Sequence, residues 1–126
     1  MKRPYSPPKL TKYKSASDLP QHLRSALVGK LTMIVDEQKT FKFVSDSFAR
    51  TLGYAPNEMI GKRIDDITVE HSMDVDFVFR AFLQLGEMDG LWLCRHRDGR
   101  NVLFHFHARV SSDGMYADME PLALAA

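Results

Sequence analysis

The fold is decided by the stretch Gly53-Tyr54-Ala55-Pro56-Asn57-Glu58-Met59-Ile60-Gly61. Gly53 can take a positive φ angle and so end the helix that precedes it. Pro56 suits the first turn of a new helix, and Glu58 lies near the positive end of that helix. Gly61 is placed to end it after one turn. Alone, this pattern is also that of an ordinary connector between two helices, so its meaning depends on the flanking segments.

The segments on both sides carry the patterns of strands and helices. Residues 31–35 and 40–44 predict two strands joined by a turn. Ser72 is placed to cap a longer helix that ends at Gly86. The apolar residues of this helix recur at helical spacing: Val75, Val78, Phe79, Phe82 and Leu83. Residues 18–28 predict an earlier amphipathic helix, with an apolar side formed by Leu19, Leu23, Ala26 and Leu27.

The last third of the chain predicts a three-stranded meander. Asp98-Gly99 and Asp113-Gly114 are favoured two-residue hairpin turns, joining strands over residues 90–97, 100–110 and 115–120. Counting back from these turns predicts the cross-strand pairs Leu91–Phe106, Leu93–Phe104, Arg95–Val102, Ala108–Met119 and Val110–Ala117. One face of the sheet would then be core. The opposite face would carry Trp92, Cys94, Leu103 and His105.

Two parts of the sequence resemble one family. The run TFKFVSDSFARTLGYAPNEMIGKRIDDI (residues 40–67) resembles the opening half of a PAS sensor domain, and RHRDGRNVLFHFHARV (residues 95–110) resembles its late hairpin. The resemblance covers roughly residues 29–120. It implies an α+β fold, a five-stranded antiparallel sheet with helices on one face, here preceded by the N-terminal amphipathic helix. The predicted organisation is a flexible basic tail (1–16), the helix segment (17–29), the PAS-like domain (30–121) and a C-terminal tail (122–126).

Composition indicates one cytoplasmic domain that acts on neither nucleic acid nor membranes. The chain has 126 residues and a net charge of +1, and it has no apolar run of membrane-spanning length. Cys94 is the only cysteine, so no internal disulfide can form, which suits a reducing compartment. The basic residues before Asp18 are interpreted as a solvated tail rather than a tether to nucleic acid or membrane.

The sequence predicts binding and relay rather than catalysis. It contains no phosphate loop, paired-carboxylate motif or nucleophile elbow, and Cys94 is interpreted as inert packing. In the family, flavin-binding members that form a cysteine adduct carry an Asn-Cys-Arg-type motif. Residues 62–67 contain no cysteine, which excludes that photochemistry. One type of haem-binding member has an iron-ligating histidine on the long helix, and residues 73–85 contain none, which argues against haem.

Two sets of residues are candidates for small-molecule or metal sites. A small apolar pocket would be lined, together with nearby methionines, by Phe41, Phe43, Phe79, Phe82, Phe104 and Phe106. The same side chains would equally form a filled core without a pocket. His105 and His107 share a face of their strand, which makes a metal site the alternative function. A half-covered sheet face that happens to use histidine explains the same pattern without a metal.

The apolar side of the 18–28 helix and the outer sheet face both need a cover. The residues involved are Leu19, Leu23 and Leu27 on the helix and Trp92, Leu103 and His105 on the sheet. Docking one on the other buries both, either within one chain or between two chains. The PAS resemblance implies that such modules commonly dimerise there. We therefore predict a homodimer that also contacts a signalling protein.

Overall fold

Five strands form a single antiparallel sheet in the order β2-β1-β5-β4-β3. The structure is a computed structural model that describes residues 31–111 and 114–122. The strands are β1 Leu31–Val35, β2 Phe41–Val44, β3 Glu87–Arg95, β4 Asn101–Ser111 and β5 Gly114–Leu122. The helices lie between β2 and β3 in the chain: α1 Asp46–Thr51, α2 Pro56–Met59, α3 Ile64–Ile67 and α4 Val75–Leu85. The predicted α+β class is confirmed, whereas the 18–28 helix and the basic tail lie outside the described residues.

The core lies between one face of the sheet and the helices. Its centre is a group of aromatic rings around Phe48 of α1, which is fully buried. The Phe48 ring meets Phe104 edge-to-face at 5.5 Å between centroids, and it contacts Trp92 at 6.1 Å and Phe41 at 6.4 Å. Aromatic pairs at such distances add to the stability that burial alone provides. This group ties α1 to three different strands.

The β3–β4 register differs from the prediction by one residue. Trp92 lies opposite Phe104, and Leu93 lies opposite Leu103. The cause is a three-residue loop: the His96 amide donates to the Arg100 carbonyl at 2.7 Å, and Gly99 has a φ of +98°. Loops of this kind place a left-handed residue last, and they shift the pairing relative to a two-residue turn.

A shift of one residue exchanges the two faces of a strand. Trp92 and Cys94 therefore lie in the core, at 2% and 0% exposure. The predicted place of Trp92 on the outer face is wrong, and so is the predicted core position of Leu91, which is 59% exposed. The β4–β5 pairing differs by two residues, with Ala108 opposite Ala117, so its side chains keep their predicted faces.

The Gly53–Gly61 stretch fastens the helices to the β3–β4 loop. Gly53 has a φ of +82°, and a Cβ atom placed on it would lie 2.5 Å from the His96 ring. Arg97 donates its amide to the Leu52 carbonyl at 2.9 Å and pairs with Glu58 at 2.6 Å. The hydrogen bond from the Ala55 amide, together with Arg97, lowers the pKa of Glu58. The stretch thus forms the predicted one-turn helix and also anchors a distant loop.

Candidate functional sites

A cavity of about 60 Å³ lies between α4 and the sheet. Helix α4 ends at Gly86, whose φ of +78° suits a glycine cap. The side of α4 that faces the sheet lines the cavity. The wall is formed by side chains of the helices and the sheet that are apolar apart from the Tyr116 hydroxyl and the Trp92 indole nitrogen: Met33, Val35, Ile64, Met73, Val75, Val78, Phe79, Phe82, Met88, Trp92, Phe106, Ala108, Met115, Tyr116 and Ala117. The indole nitrogen of Trp92 is already engaged, because it donates to the Thr68 hydroxyl at 2.9 Å. The lining therefore suits a molecule without hydrogen-bonding groups.

Only part of the predicted phenylalanine set lines this cavity. Phe79, Phe82 and Phe106 do so, together with the four methionines. Phe41 and Phe104 are fully buried in the aromatic group around Phe48 and fill that part of the core. Phe43 pairs with Ile34 on the opposite face of the sheet, so its predicted place in the pocket is wrong. A filled core and a cavity thus coexist in neighbouring parts of the domain.

A buried lysine joins three segments beside the cavity. The amine of Lys39, whose side chain is 6% exposed, donates to both carboxylate oxygens of Asp65 at 3.0 Å and to Asp76. Burial lowers the pKa of Lys39, but the hydrogen bonds and charges of Asp76 and Asp65 outweigh it, so this pKa is raised. The hydrogen bond and charge of Lys39 lower the pKa of Asp76. The β1–β2 turn is thereby connected to α3 and to the first turn of α4.

The outer face of the sheet has an apolar end and a charged centre. Leu93, Leu103 and Leu122 form a row across β3, β4 and β5, and Leu91 lies beside it opposite His105. Toward the centre of the face, His107 pairs with Glu87 at 2.6 Å. The predicted interface residues Leu103 and His105 lie on this face, and Trp92 does not.

The β1 side of the outer face is covered, whereas the β3 side is open. Thr32 and Ile34 are 0% and 1% exposed, although they alternate with the core residues Met33 and Val35. Among the described residues, neither the Thr32 hydroxyl nor one carboxylate oxygen of its cross-strand neighbour Asp118 has a hydrogen-bond partner. Among the described residues, the exposed large apolar side chains of this face are Leu91 of β3, at 59%, and Leu122 at the end of β5, at 37%.

The family model described as PAS domain matches residues 30–117. The chain belongs to the PAS domain family. PAS domains are generally sensory, non-catalytic modules of signalling proteins, and they commonly mediate dimerisation. None of the curated proteins matches the sequence.

Solved structures show the same fold at low sequence identity. A PAS domain from a two-component sensor histidine kinase has 15% identity and a TM-score of 0.60, covering 74% of this chain and 85% of that one. The PAS domain of an HTR-like protein from Haloarcula marismortui has 18% identity and a TM-score of 0.63, covering 80% and 90%. A light-oxygen-voltage domain studied with a flavin analogue has 18% identity and a TM-score of 0.66, covering 81% and 85%.

The alternative metal site of this PAS domain is not supported. His105 and His107 share the outer face, but Cys94 lies in the core on the other face, where burial raises the pKa of its thiol. Within residues 31–111 and 114–122, no three histidine, cysteine, aspartate or glutamate side chains are grouped as a metal would need. Over the same residues, no helix is long and apolar enough to cross a membrane.

Sequence reasoning missed two features of this PAS domain. Trp92 lines the cavity because Asp98-Gly99 belongs to a three-residue loop, which the Asp-Gly pair alone does not distinguish from a two-residue turn. The Lys39 ion pairs join residues 26 and 37 positions apart, and no local pattern indicates them.

Proposed function

We propose that this PAS domain is a non-enzymatic, cytoplasmic signalling module that binds a small apolar ligand under α4 and homodimerises through its outer sheet face. Its output would pass to a protein partner. The apolar cavity is the observation that carries the ligand proposal. Well-packed cores have few voids larger than a water molecule. An apolar space between the sheet and α4, a helix with one buried side chain, is therefore a candidate binding site.

The size of the cavity limits the ligand. An apolar cavity of about 150 Å³ is enough for benzene. The cavity here is about 60 Å³, so a ligand of several heavy atoms needs the lining to move, either at α4 or at individual side chains. Met33, Met73, Met88 and Met115 in the lining have flexible side chains that can adapt to such a guest.

Xenon and native mass spectrometry test the ligand proposal. Xenon is an apolar probe that enters dry cavities of this kind. We expect it to perturb the NMR signals of methyl groups on Val78, Ala108 and Met115, and we expect freshly purified protein to carry a small apolar compound. Ala108→Leu should fill the cavity and abolish the xenon effect. Ala81→Leu, on α4 but outside the lining, is the matched control and should retain it. If xenon causes no chemical-shift change in wild-type protein, the ligand site is refuted.

The dimer proposal rests on the open, apolar half of the outer face. The row Leu93–Leu103–Leu122 lies at the end of the sheet where the chain enters β1, because Leu31 is opposite Met119 of β5. The predicted 18–28 helix precedes β1 directly in the chain, and its Leu19, Leu23 and Leu27 would match this row in chemical character. Burying both surfaces removes exposed leucine from water, which favours association.

Sedimentation at micromolar concentration tests the dimer. We expect wild-type protein to be a dimer and Leu23→Glu or Leu103→Glu to be monomeric, because a charge would be placed in an apolar contact. Leu85→Glu is the control, since Leu85 is 70% exposed on α4, in the helical layer on the other side of the sheet. It should leave the dimer intact. A wild-type protein that sediments as a monomer throughout would contradict the dimer, and the helix would then cover its own sheet.

A further inference from the structure

Helix α4 forms one wall of the cavity and contributes a single buried side chain to the core. Phe82 is its only buried residue, and Phe77 and Leu85 are 64% and 70% exposed. The side facing the sheet rests partly on the cavity rather than on packed atoms. An isolated helix of 11 residues is marginal in water. Its position and its helicity therefore both depend on what attaches it to the rest of the domain.

One ion pair provides the side-chain attachment of α4 to the body, while the backbone at the other end of the helix is held by the Val110 amide, which donates to the Gly86 carbonyl at 2.9 Å. Among the hydrogen bonds and ion pairs of the described residues, the contact from Lys39 to Asp76 is the one that joins an α4 side chain to another element. Asp74 and Arg80 bond within the helix itself. Lys39 stays anchored on the other side, because Asp65 of α3 binds the same amine through both oxygens.

The β1–β2 turn holds Lys39 in position through contacts that do not involve α4. Lys39 has a φ of +67°, an uncommon conformation for a residue with a side chain. The turn is held by Asp36, whose carboxylate accepts hydrogen bonds from the Gln38 and Thr40 amides at 2.9 Å and 3.0 Å. The Ile64 amide donates to the Lys39 carbonyl at 2.9 Å. Lys39 is thus fixed to the body of the domain, whereas its partner carboxylate, that of Asp76, is carried by α4.

We propose that the Lys39–Asp76 ion pair is a catch that holds α4 over the cavity, and that α4 opens when the pair breaks. The side chain of Asp76 is 74% exposed, so water and salt reach the contact and the pair can open without unfolding the core. The consequence for ligand entry rests on the proposed ligand site. The opening of α4 itself is independent of that site and is measured in ligand-free protein.

Amide hydrogen exchange, residue by residue, tests the catch. Because α4 is not stable alone, its opening exposes the hydrogen-bonded amides of residues 79–85 to exchange. We expect Asp76→Asn and Lys39→Met each to accelerate these amides by roughly fivefold, with the amides of Met33 and Ala117 in the sheet unchanged. The double variant should be no faster than either single variant, since both changes remove the same contact. Added salt should accelerate α4 exchange in wild-type protein but not in Asp76→Asn.

Two controls separate the catch from general destabilisation. Asp65→Asn removes a carboxylate from the same lysine but leaves the α4 contact, so α4 exchange should stay at the wild-type rate. Lys39→Met retains the Asp76 charge at the start of α4, so its effect cannot come from a weakened helix dipole. Unchanged α4 exchange in both Asp76→Asn and Lys39→Met, or equal acceleration of α4 and sheet amides, would overturn the catch. Faster α4 exchange without any xenon binding would support the catch and refute the ligand site.

Discussion

Substitution of Gly53 by alanine tests how the Gly53–Gly61 stretch holds the domain together. The backbone there has a φ of +82°, and the new Cβ atom would lie 2.5 Å from the His96 ring. A left-handed conformation costs an alanine about 1–2 kcal/mol. The ring cannot move away freely, because His96 contacts Asp98 at 3.0 Å and Arg100 at 3.3 Å. Overpacking at such a site adds about 1–3 kcal/mol.

We therefore expect Gly53→Ala to lower the free energy of unfolding by about 2–5 kcal/mol. Urea unfolding followed by the fluorescence of Trp92, which is in the core, measures the loss. Gly61→Ala is the matched control: its φ is +92°, but nothing lies within 4 Å of the new Cβ atom. It should cost only the conformational part, about 1–2 kcal/mol. Equal losses in the two variants would refute the contribution of the close packing between Gly53 and the His96 ring.

Three further outcomes follow from buried or paired residues. Phe82→Ala should cost about 3 kcal/mol in urea unfolding, near the low end for a core phenylalanine because one side of Phe82 already faces the cavity; a loss below about 1 kcal/mol would contradict its packing role. Ser45→Ala should cost about 2 kcal/mol, since its hydroxyl caps α1 and also accepts from the Thr32 amide at 3.0 Å; thermal unfolding with an unchanged midpoint would count against this. The pKa of Asp76 is lowered, so its contribution to the stability of α4 is present above the ordinary value of 3.8 and is lost as the pH falls through the folded-state pKa. The pKa of Lys39 is raised, so its contribution is present below 10.5 and is lost as the pH rises through the folded-state pKa. Exchange of the α4 amides, corrected for intrinsic rates, should be slowest between these limits, and a flat profile would speak against the pair.

Local sequence signals determined the order and nature of the elements. Gly53, Pro56 and Gly61 act through their own backbone preferences, which need no distant partner. The alternation in the strands and the helical spacing around Phe82 likewise reflect which side of each element meets the core. For these reasons the sequence predicts the five-stranded α+β fold and the one-turn helix at Pro56.

The faces of β3 depended on one loop. Asp-Gly is compatible with a two-residue turn and also with the three-residue loop that forms here, in which Gly99 takes the left-handed conformation. The two loops differ locally by a single residue, but they exchange every side chain of β3 between core and outer face. Burying Trp92 against Phe48 and Phe104 instead of Leu91 is a property of the assembled core.

The sequence by itself therefore determined the five-stranded α+β fold, because its turns, caps and periodicities act over a few residues, and the PAS family followed from the resemblance of two of its segments. Only the tertiary structure decided where the cavity lies and what closes it. The cavity is left over from packing side chains of several elements, and no single segment encodes a void. Lys39 meets Asp76 only because the β1–β2 turn and α4 are brought together by the folded sheet. The sites proposed for function arise from such long-range contacts.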